Sequence, residues 1–313
     1  MEIAQRAKIA VGGVSQIWHE VEASNKGTAM RTVYVNGSYV PENEATISVF
    51  DRGFLFGDGI YEVASVLGGK LIDFPAHMAR LHRSAGELGM RFTVSDEDLL
   101  AIHRELVSRN QVEEGVVYLQ MTRGAIDRDF LFDTEKLTPT LVLFTQSRPL
   151  IDTAVAKNGM KVVSIPDLRW GRCDIKTVQL LYPSLGKMEA KARGADDAWM
   201  VRDGVVTEGT SNNAFIVTKE GVIVTRPLSH SILPGITRAA LMAYSEANGT
   251  KIEEREFTIE EAREAAEAFI TSASVFVGPV ISIDGVELSG GKPGPVTLGL
   301  RKTYIEESLK RAL

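Results

Sequence analysis

Cysteine and histidine are scarce in this sequence. Its 313 residues include a single cysteine, Cys173, so no internal disulfide can form and the chain is compatible with a reducing compartment. One cysteine and five scattered histidines do not supply the ligands of a zinc site. We therefore predict a protein without a metal centre.

Long apolar runs and long runs of one charge are also absent. No stretch approaches the roughly 18 consecutive apolar residues of a membrane-spanning helix, and the first segment lacks an apolar stretch of signal-peptide length. The net charge of -6, without a clustered basic face, argues against a nucleic-acid partner. We expect a cytoplasmic protein with no membrane or nucleic-acid partner. The hydrophobic fraction of 44% is ordinary for a globular chain.

The length and the pattern of apolar residues predict two domains. A chain of 313 residues is longer than one typical core supports. Residues 1–30 have no sustained apolar period and form an N-terminal arm that we leave unassigned. We predict a small α/β domain over residues 31–148, a linker over 149–157 and a larger domain over 158–313.

Turn and capping signals locate the predicted elements. The Asn36-Gly37 pair suits a hairpin turn, and Ser95 suits the N-terminal cap of a helix. A further helix is expected from about Pro75. Strands are expected through residues 47–49 and 61–66, and one long strand is expected over residues 270–283.

Lys176 lies at the edge of an apolar patch in the stretch Arg172-Cys173-Asp174-Ile175-Lys176. Desolvation and the like charge of Arg172 would both lower the pKa of this lysine, and a neutral amine is a nucleophile toward carbonyl carbon. This is the chemistry of a Schiff base. Taken alone the pattern is not specific, because most lysines are solvated surface charges.

A second group of residues is suited to binding an anion. Ile236 and Thr237 begin a predicted helix, where unpaired N–H groups and the helix dipole favour phosphate. An arginine, Arg80 or Arg238, could clamp that phosphate with two hydrogen bonds. Glu208 ends a predicted strand beside a loop of small residues.

The combination of motifs resembles a known family. The motifs, in order, are Phe50-Asp51-Arg52-Gly53 with Phe56-Gly57-Asp58-Gly59-Ile60-Tyr61-Glu62-Val63, His77-Met78-Ala79-Arg80-Leu81, Arg172-Cys173-Asp174-Ile175-Lys176, Val206-Thr207-Glu208-Gly209-Thr210-Ser211-Asn212-Asn213 and Leu233-Pro234-Gly235-Ile236-Thr237-Arg238. In order and spacing they resemble the fold type IV pyridoxal-phosphate aminotransferases, among which the D-amino-acid transaminases match best. The likeness runs from about residue 32 to the C-terminus.

The resemblance implies roles for residues around the cofactor. Lys176 corresponds to the catalytic lysine that holds pyridoxal 5'-phosphate as an internal aldimine and shuttles the substrate proton. Glu208 corresponds to the partner of the pyridine nitrogen, where a carboxylate favours the protonated, electron-accepting ring. Tyr61 corresponds to the tyrosine that orients the aldimine.

The resemblance also implies a phosphate cup, with one departure. Three residues match the cup of the family: Arg80, Ile236 and Thr237. The phosphate-binding threonine of the family corresponds to Ala273, so the substitute hydroxyl is expected from Ser272 or Ser274.

Substrate binding is expected from two places. Tyr61, Val63 and Ser65 alternate along a predicted strand and share one face. In D-amino-acid transaminases a loop supplies an arginine and, two residues later, a histidine, which together trap the substrate carboxylate. The matching residues here are Arg128 and Phe130, so we expect the arginine to bind the carboxylate and the phenylalanine to favour hydrophobic substrates.

At the level of the whole protein, the resemblance implies an α+β fold type IV enzyme. A small N-terminal α/β domain would precede a larger domain with a barrel-like sheet, in a homodimer. The expected reaction moves an amino group between a D-amino acid, such as D-alanine or D-glutamate, and a 2-oxo acid. The alternatives are an (R)-selective amine transaminase, a branched-chain aminotransferase, an aminodeoxychorismate lyase, and a non-enzymatic cofactor-binding module.

Overall fold

The computed structural model describes residues 30–247 and 250–313. The N-terminal arm predicted over residues 1–30 therefore lies outside the described residues, except for Met30. The described chain contains two β-sheets with helices packed against them. The predicted α+β class is confirmed.

The first sheet is antiparallel and has six strands in the order β2-β1-β6-β5-β3-β4. Its strands are β1 (Thr32–Val35), β2 (Ser38–Pro41), β3 (Gly59–Leu67), β4 (Lys70–Leu71), β5 (Glu114–Thr122) and β6 (Thr140–Ser147). Asn36 and Gly37 have φ angles of 46° and 97°, as the predicted turn between β1 and β2 requires.

Among the described residues, three helices accompany this sheet: α1 (Arg52–Phe56), α2 (Phe74–Glu87) and α3 (Asp96–Arg109). The side chain of Ser95 accepts a hydrogen bond from the backbone N–H of Asp98, which confirms the predicted cap of α3. Pro75 lies in the first turn of α2, where its missing N–H has no cost. Both helices bury apolar side chains such as Met78 and Leu99 against the sheet.

The second sheet is mixed and has nine strands, with the main order β12-β11-β10-β13-β14-β7-β8-β9 and β15 paired with β14. Its strands are β7 (Met160–Pro166), β8 (Asp197–Arg202), β9 (Val205–Gly209), β10 (Asn213–Val217), β11 (Ile223–Thr225), β12 (Ile252–Glu254), β13 (Glu267–Ser272), β14 (Phe276–Ile283) and β15 (Val286–Glu287). Strand β9, at one end of this order, approaches β10 near the other end, so the sheet curls into the expected barrel-like shape.

The helices of the second half are α4 (Ala154–Asn158), α5 (Leu181–Ala192), α6 (Ile236–Ala247), α7 (Ile259–Glu264) and α8 (Pro295–Lys310). Helices α6 and α8 contact each other and cover β13. Within residues 30–247 and 250–313, no helix has the length and apolar character needed to cross a membrane.

Two predictions of strands were wrong. Residues 47–49 form a loop, in which Ile47 and Val49 are exposed and pair with no strand of the described chain. Residues 270–283 do not form one strand, because the chain reverses between β13 and β14 and pairs Ser272 with Phe276. Phe276 adopts a left-handed φ of 62° at this turn, a conformation that no periodicity of apolar residues reveals. The reversal brings Ser272 and Ala273 to the wall of the main cavity.

Candidate active site

A cavity of about 780 Å³ lies where the two sheets meet. Most of the residues predicted from the motifs line it: Tyr61, Val63, Arg80, Lys176, Glu208, Ile236, Thr237 and Ser272. They come from β3, α2, the segment before α5, β9, the N-terminus of α6 and the end of β13. The fold therefore brings together residues that are up to 211 positions apart, as the interval from Tyr61 to Ser272 shows.

Backbone hydrogen bonds fix the segment that carries Lys176. The N–H of Tyr61 donates to the carbonyl of Lys176 at 3.0 Å, and Ile60 forms an isolated β-bridge with Thr177. The beginning of β3 is thereby joined to a segment of the second half. Asp174 accepts a hydrogen bond from Arg83 of α2 at 2.6 Å, which holds the same segment from the other side.

The side chain of Lys176 points over an aromatic ring. Its Nζ atom lies 4.2 Å from the ring centroid of Tyr61, and the Tyr61 ring stacks on that of Tyr118. Among the described residues no carboxylate lies within ion-pair distance of this amine. Arg172 does not act as the predicted charged neighbour, because its guanidinium pairs with Glu87 and Asp174.

Glu208 is a buried carboxylate at the end of β9. Its Oε1 accepts from Arg169 Nη1 at 2.5 Å, and its Oε2 accepts from Asn213 Nδ2 at 3.0 Å and from the backbone N–H of Leu233 at 3.1 Å. Burial raises the pKa of Glu208, whereas the charge and hydrogen bond of Arg169 act in the opposite direction. The carboxylate is thus fixed in position by three donors.

Arg169 is itself held by a second carboxylate, Asp167. Two nitrogens of Arg169 donate to the two Asp167 oxygens at 2.9 and 2.8 Å. Burial alone would raise the pKa of Asp167, but Arg169 and the Thr207 hydroxyl outweigh it and lower the pKa to about 2. Arg169 is therefore committed to Asp167 and Glu208, and it is not the free arginine that a substrate carboxylate would need.

The N-terminus of α6 opens into the cavity at Ile236 and Thr237. The first N–H groups of a helix lack intrahelical partners and favour an anion. Gly235, just before the helix, is required by packing, since a Cβ atom there would lie 2.1 Å from Oδ1 of Asn213. Of the two predicted arginines, Arg80 lines this cavity, whereas Arg238 pairs with Glu254 at 2.7 Å and does not.

Arg80 belongs to a buried network that the motifs did not indicate. Its Nε and Nη2 donate to both oxygens of Glu62 at 2.8 and 2.7 Å, and Nδ1 of His77 lies 2.7 Å from Glu62 Oε2. Burial alone would raise the pKa of Glu62, but Arg80 and His77 together lower it to about 2. The sequence did contain a signal for this network. Glu62 is an acidic residue within a largely apolar strand, and the next helix carries His77 and Arg80 three residues apart.

Besides Arg238, four predicted residues do not line the cavity. The Ser65 hydroxyl donates to the carbonyl of Ala273 at 2.5 Å, so it supports the turn after β13 and does not face a substrate. Ser274 lies in the same turn but away from the cavity wall. Arg128 and Phe130 are exposed in the loop after β5, outside the cavity of their own chain.

The mouth of the cavity is apolar and exposed. Phe54, Leu168 and Leu181 line it and are 70%, 72% and 74% exposed. Trp170 and Leu185 add to the same surface. Exposed apolar side chains gathered around one cavity mark a site for a substrate or for another protein surface.

The fold and the cavity define an enzyme of the α+β type, in which a lysine, a buried carboxylate and a helix N-terminus line one cavity. Residues 59–283 match the family model described as amino-transferase class IV. The chain belongs to this family and is an aminotransferase.

Relatives and solved structures agree with that membership. The chain is 40% identical over 277 residues to the D-alanine aminotransferase of Staphylococcus aureus (strain MSSA476), covering 88% of this chain and 97% of that one. It is 39% identical over 279 residues to the D-alanine aminotransferase of Bacillus licheniformis, covering 88% and 96%. The branched-chain aminotransferase of the thermophilic archaeon Thermoproteus uzoniensis, in a structure with norvaline, superposes with a TM-score of 0.78 at 28% identity, covering 90% and 96%.

The residues of the cavity fit pyridoxal 5'-phosphate. An aldehyde needs an amine, a pyridine nitrogen needs an acidic partner, and a phosphate needs N–H donors and a cation. Lys176, Glu208, the α6 terminus and Arg80 supply these groups within one cavity.

Proposed function

We propose that this chain uses pyridoxal 5'-phosphate to transfer an amino group between a D-amino acid, such as D-alanine or D-glutamate, and a 2-oxo acid. The observation that carries the proposal is the joint position of Lys176, Glu208 and the α6 terminus around one cavity. Two curated relatives of nearly full length, both named D-alanine aminotransferase, support the choice of substrate class.

Each group has a distinct task in this proposal. The bound cofactor supplies the electron sink that makes the Cα proton of an amino acid removable. Lys176 would hold the cofactor through its amine and would carry the proton to and from substrate Cα. Glu208 would stabilise positive charge on the ring nitrogen, and Tyr61, whose ring lies beside the lysine amine, would orient that amine. Arg80 with the backbone N–H groups of Ile236 and Thr237 binds the phosphate.

The chain acts as a homodimer in this proposal. The exposed apolar mouth, including Phe54, Leu168 and Leu181, would be covered by a second copy. The exposed loop with Arg128 and Phe130 would then reach a substrate only in the cavity of the neighbouring copy. Gel filtration with light scattering tests this arrangement, since a monomeric active enzyme would contradict it.

An (R)-selective amine transaminase is the second candidate. It is favoured by one observation, the apolar lining of the mouth, which accepts a hydrophobic group in place of a second carboxylate. Phe130 at the position of a histidine in the D-amino-acid enzymes points the same way.

Half-reactions of the purified protein separate these functions. The cofactor-loaded protein is mixed with D-alanine, L-leucine or (R)-1-phenylethylamine, and loss of the visible absorbance of lysine-bound cofactor is followed. Fastest loss of absorbance with D-alanine supports the main proposal. Fastest loss with (R)-1-phenylethylamine supports the second candidate, and fastest loss with L-leucine contradicts both.

Lys176→Ala is the matched variant for the role of the lysine. It should fold but lose the lysine-bound absorbance and turnover, because Lys187 and Lys191 lie on the body of α5 and cannot replace it. Lys191→Ala serves as the control and should keep both. A Lys176→Ala protein with normal absorbance and turnover would refute the assignment.

A further inference from the structure

Thr271 has a buried hydroxyl that finds no hydrogen-bond partner in the described part of the chain. The residue is 2% exposed on β13, and its Oγ1 atom bonds to no other atom of the described chain. Burying a hydroxyl without a partner costs free energy, so this atom is poorly explained by folding alone. Thr271 also lines the main cavity, where a ligand can supply the missing partner.

The sheet places this hydroxyl on the side that faces the α6 terminus. Thr271 is the direct antiparallel partner of Asn213, and direct partners project their side chains from the same face. The Asn213 amide reaches Glu208 and the carbonyl of Leu233, and its oxygen packs against Gly235, the residue before α6. Thr271 is therefore a close neighbour of the helix terminus that we assign to the phosphate.

The next residue pair on the same face of these two strands, two positions further along, shows where the floor of the cavity changes from polar to aromatic. Phe215 and Phe269 are also direct partners, and their rings stack with centroids 4.7 Å apart in the core. One step along that face, Asn213 and Thr271 replace the two rings with polar side chains. The polar pair lies where the floor reaches the cavity, and within residues 30–247 and 250–313 Asn213 has hydrogen-bond partners whereas the Thr271 hydroxyl has none.

The sequence itself creates a need for such a hydroxyl. Ala273, two residues after Thr271, presents only a methyl group to the cavity wall. Of the two serines beside it, Ser274 does not line the cavity, and Ser272 is half-buried on the opposite alternation of the strand.

We infer that the Thr271 hydroxyl is a ligand of the cofactor phosphate and completes the anion site formed by Arg80 and the α6 terminus. This inference rests on the proposed use of pyridoxal 5'-phosphate and adds a residue to it. The Thr271 hydroxyl donates a hydrogen bond to a phosphate oxygen. Because the hydroxyl is neutral, it adds specificity without adding charge beside Glu62 and Arg80.

The test replaces Thr271 with valine, which has the same shape and lacks the hydroxyl. We expect the dissociation constant for pyridoxal 5'-phosphate to rise roughly tenfold or more, as loss of a hydrogen bond to a charged oxygen produces. The dissociation constant for pyridoxal should change less than about twofold, because pyridoxal has no phosphate oxygen for the hydroxyl to contact. A twofold change corresponds to well under 1 kcal/mol. Binding is measured by quenching of tryptophan fluorescence.

The melting temperature of the cofactor-free protein is a second measurement, and here the variant should not be impaired. Thr271→Val removes an unpaired buried hydroxyl, so the cofactor-free variant should be as stable as the wild type or more so. Thr225→Val is the matched control, because the buried Thr225 hydroxyl donates to the carbonyl of Ala214 at 3.0 Å away from the cavity. That control should melt at a lower temperature and bind the cofactor normally.

Four outcomes would overturn the inference. Thr271→Val could keep its affinity for pyridoxal 5'-phosphate, or lose as much affinity for pyridoxal as for pyridoxal 5'-phosphate. The cofactor-free Thr271→Val protein could be less stable than the wild type, or the loss of affinity could occur in Ser272→Ala or Ser274→Ala instead. Failure of the proposed function is distinguishable. A wild-type protein that binds pyridoxal 5'-phosphate but does not react with D-alanine contradicts only that function, and one that does not bind it contradicts both.

Discussion

Glu62 gives the sharpest prediction about stability. Its carboxylate is 1% exposed and accepts hydrogen bonds from two nitrogens of Arg80, with His77 beside it. In Glu62→Gln the buried guanidinium would lose its counter-charge. We expect the variant to be less stable than the wild type at pH 7, because breaking a buried ion pair leaves one charge without compensation.

The size of the effect follows from the pKa. The folded-state pKa of Glu62 is about 2, against an ordinary value of 4.5. This difference of about 2.5 units corresponds to about 3 kcal/mol, at about 1.36 kcal/mol per unit. Because the folded-state pKa is lowered, the stabilisation is fully present above pH 4.5 and is lost as the pH falls toward 2.

Urea unfolding of the cofactor-free protein, followed by circular dichroism, checks both parts. At pH 7 the unfolding free energy of Glu62→Gln should be lower by about 3 kcal/mol. Below pH 4.5 the difference from the wild type should shrink, because the variant has no proton to bind at this position. Glu42→Gln is the control, since its partner Arg31 is 45% exposed and such a surface pair contributes at most about 1 kcal/mol. Equal losses in both variants, or a difference independent of pH, would refute the reasoning.

Two further predictions concern turnover. Glu208→Gln should lower kcat roughly a hundredfold, while the cofactor dissociation constant changes much less. The lost negative charge would matter most when the pyridine ring of the cofactor accepts electrons from the substrate. A variant with normal kcat would contradict the role of Glu208. Arg128→Ala should raise KM for D-alanine roughly tenfold or more and leave the rate with (R)-1-phenylethylamine nearly unchanged, as expected for losing a charge-assisted hydrogen bond to a carboxylate. An equal response to both substrates, or no response, would show that Arg128 does not bind the carboxylate.

Much of the fold could be read from local patterns. The turn at Asn36-Gly37 and the cap at Ser95 depend on interactions within a few residues, so the sequence alone located them. The division of residues 270–283 between the two strands β13 and β14 could not be predicted in this way. The reversal between them depends on the pairing of Ser272 with Phe276 and on a left-handed Phe276, neither of which leaves an apolar period.

The sequence also indicated the chemical identity of the site, through the type and order of residues such as Lys176, Glu208 and Arg80. It could not indicate which side chains those residues would meet. Arg172 turned away from Lys176 to pair with Glu87, and Ser65 turned to the carbonyl of Ala273.

Only the tertiary structure decided the charge balance and the free donors of the cavity. Arg169 ion-pairs with Glu208, which lies 39 residues later in the chain. The Asn213 amide bonds to Glu208 and to the carbonyl of Leu233, whereas the hydroxyl of its strand neighbour Thr271 has no hydrogen-bond partner among the described residues. A motif is local in the chain, whereas desolvation and ion pairing depend on groups that meet only after the two sheets have packed. The sequence therefore determined which chemistry is available, and the packing determined which groups remain free to perform it.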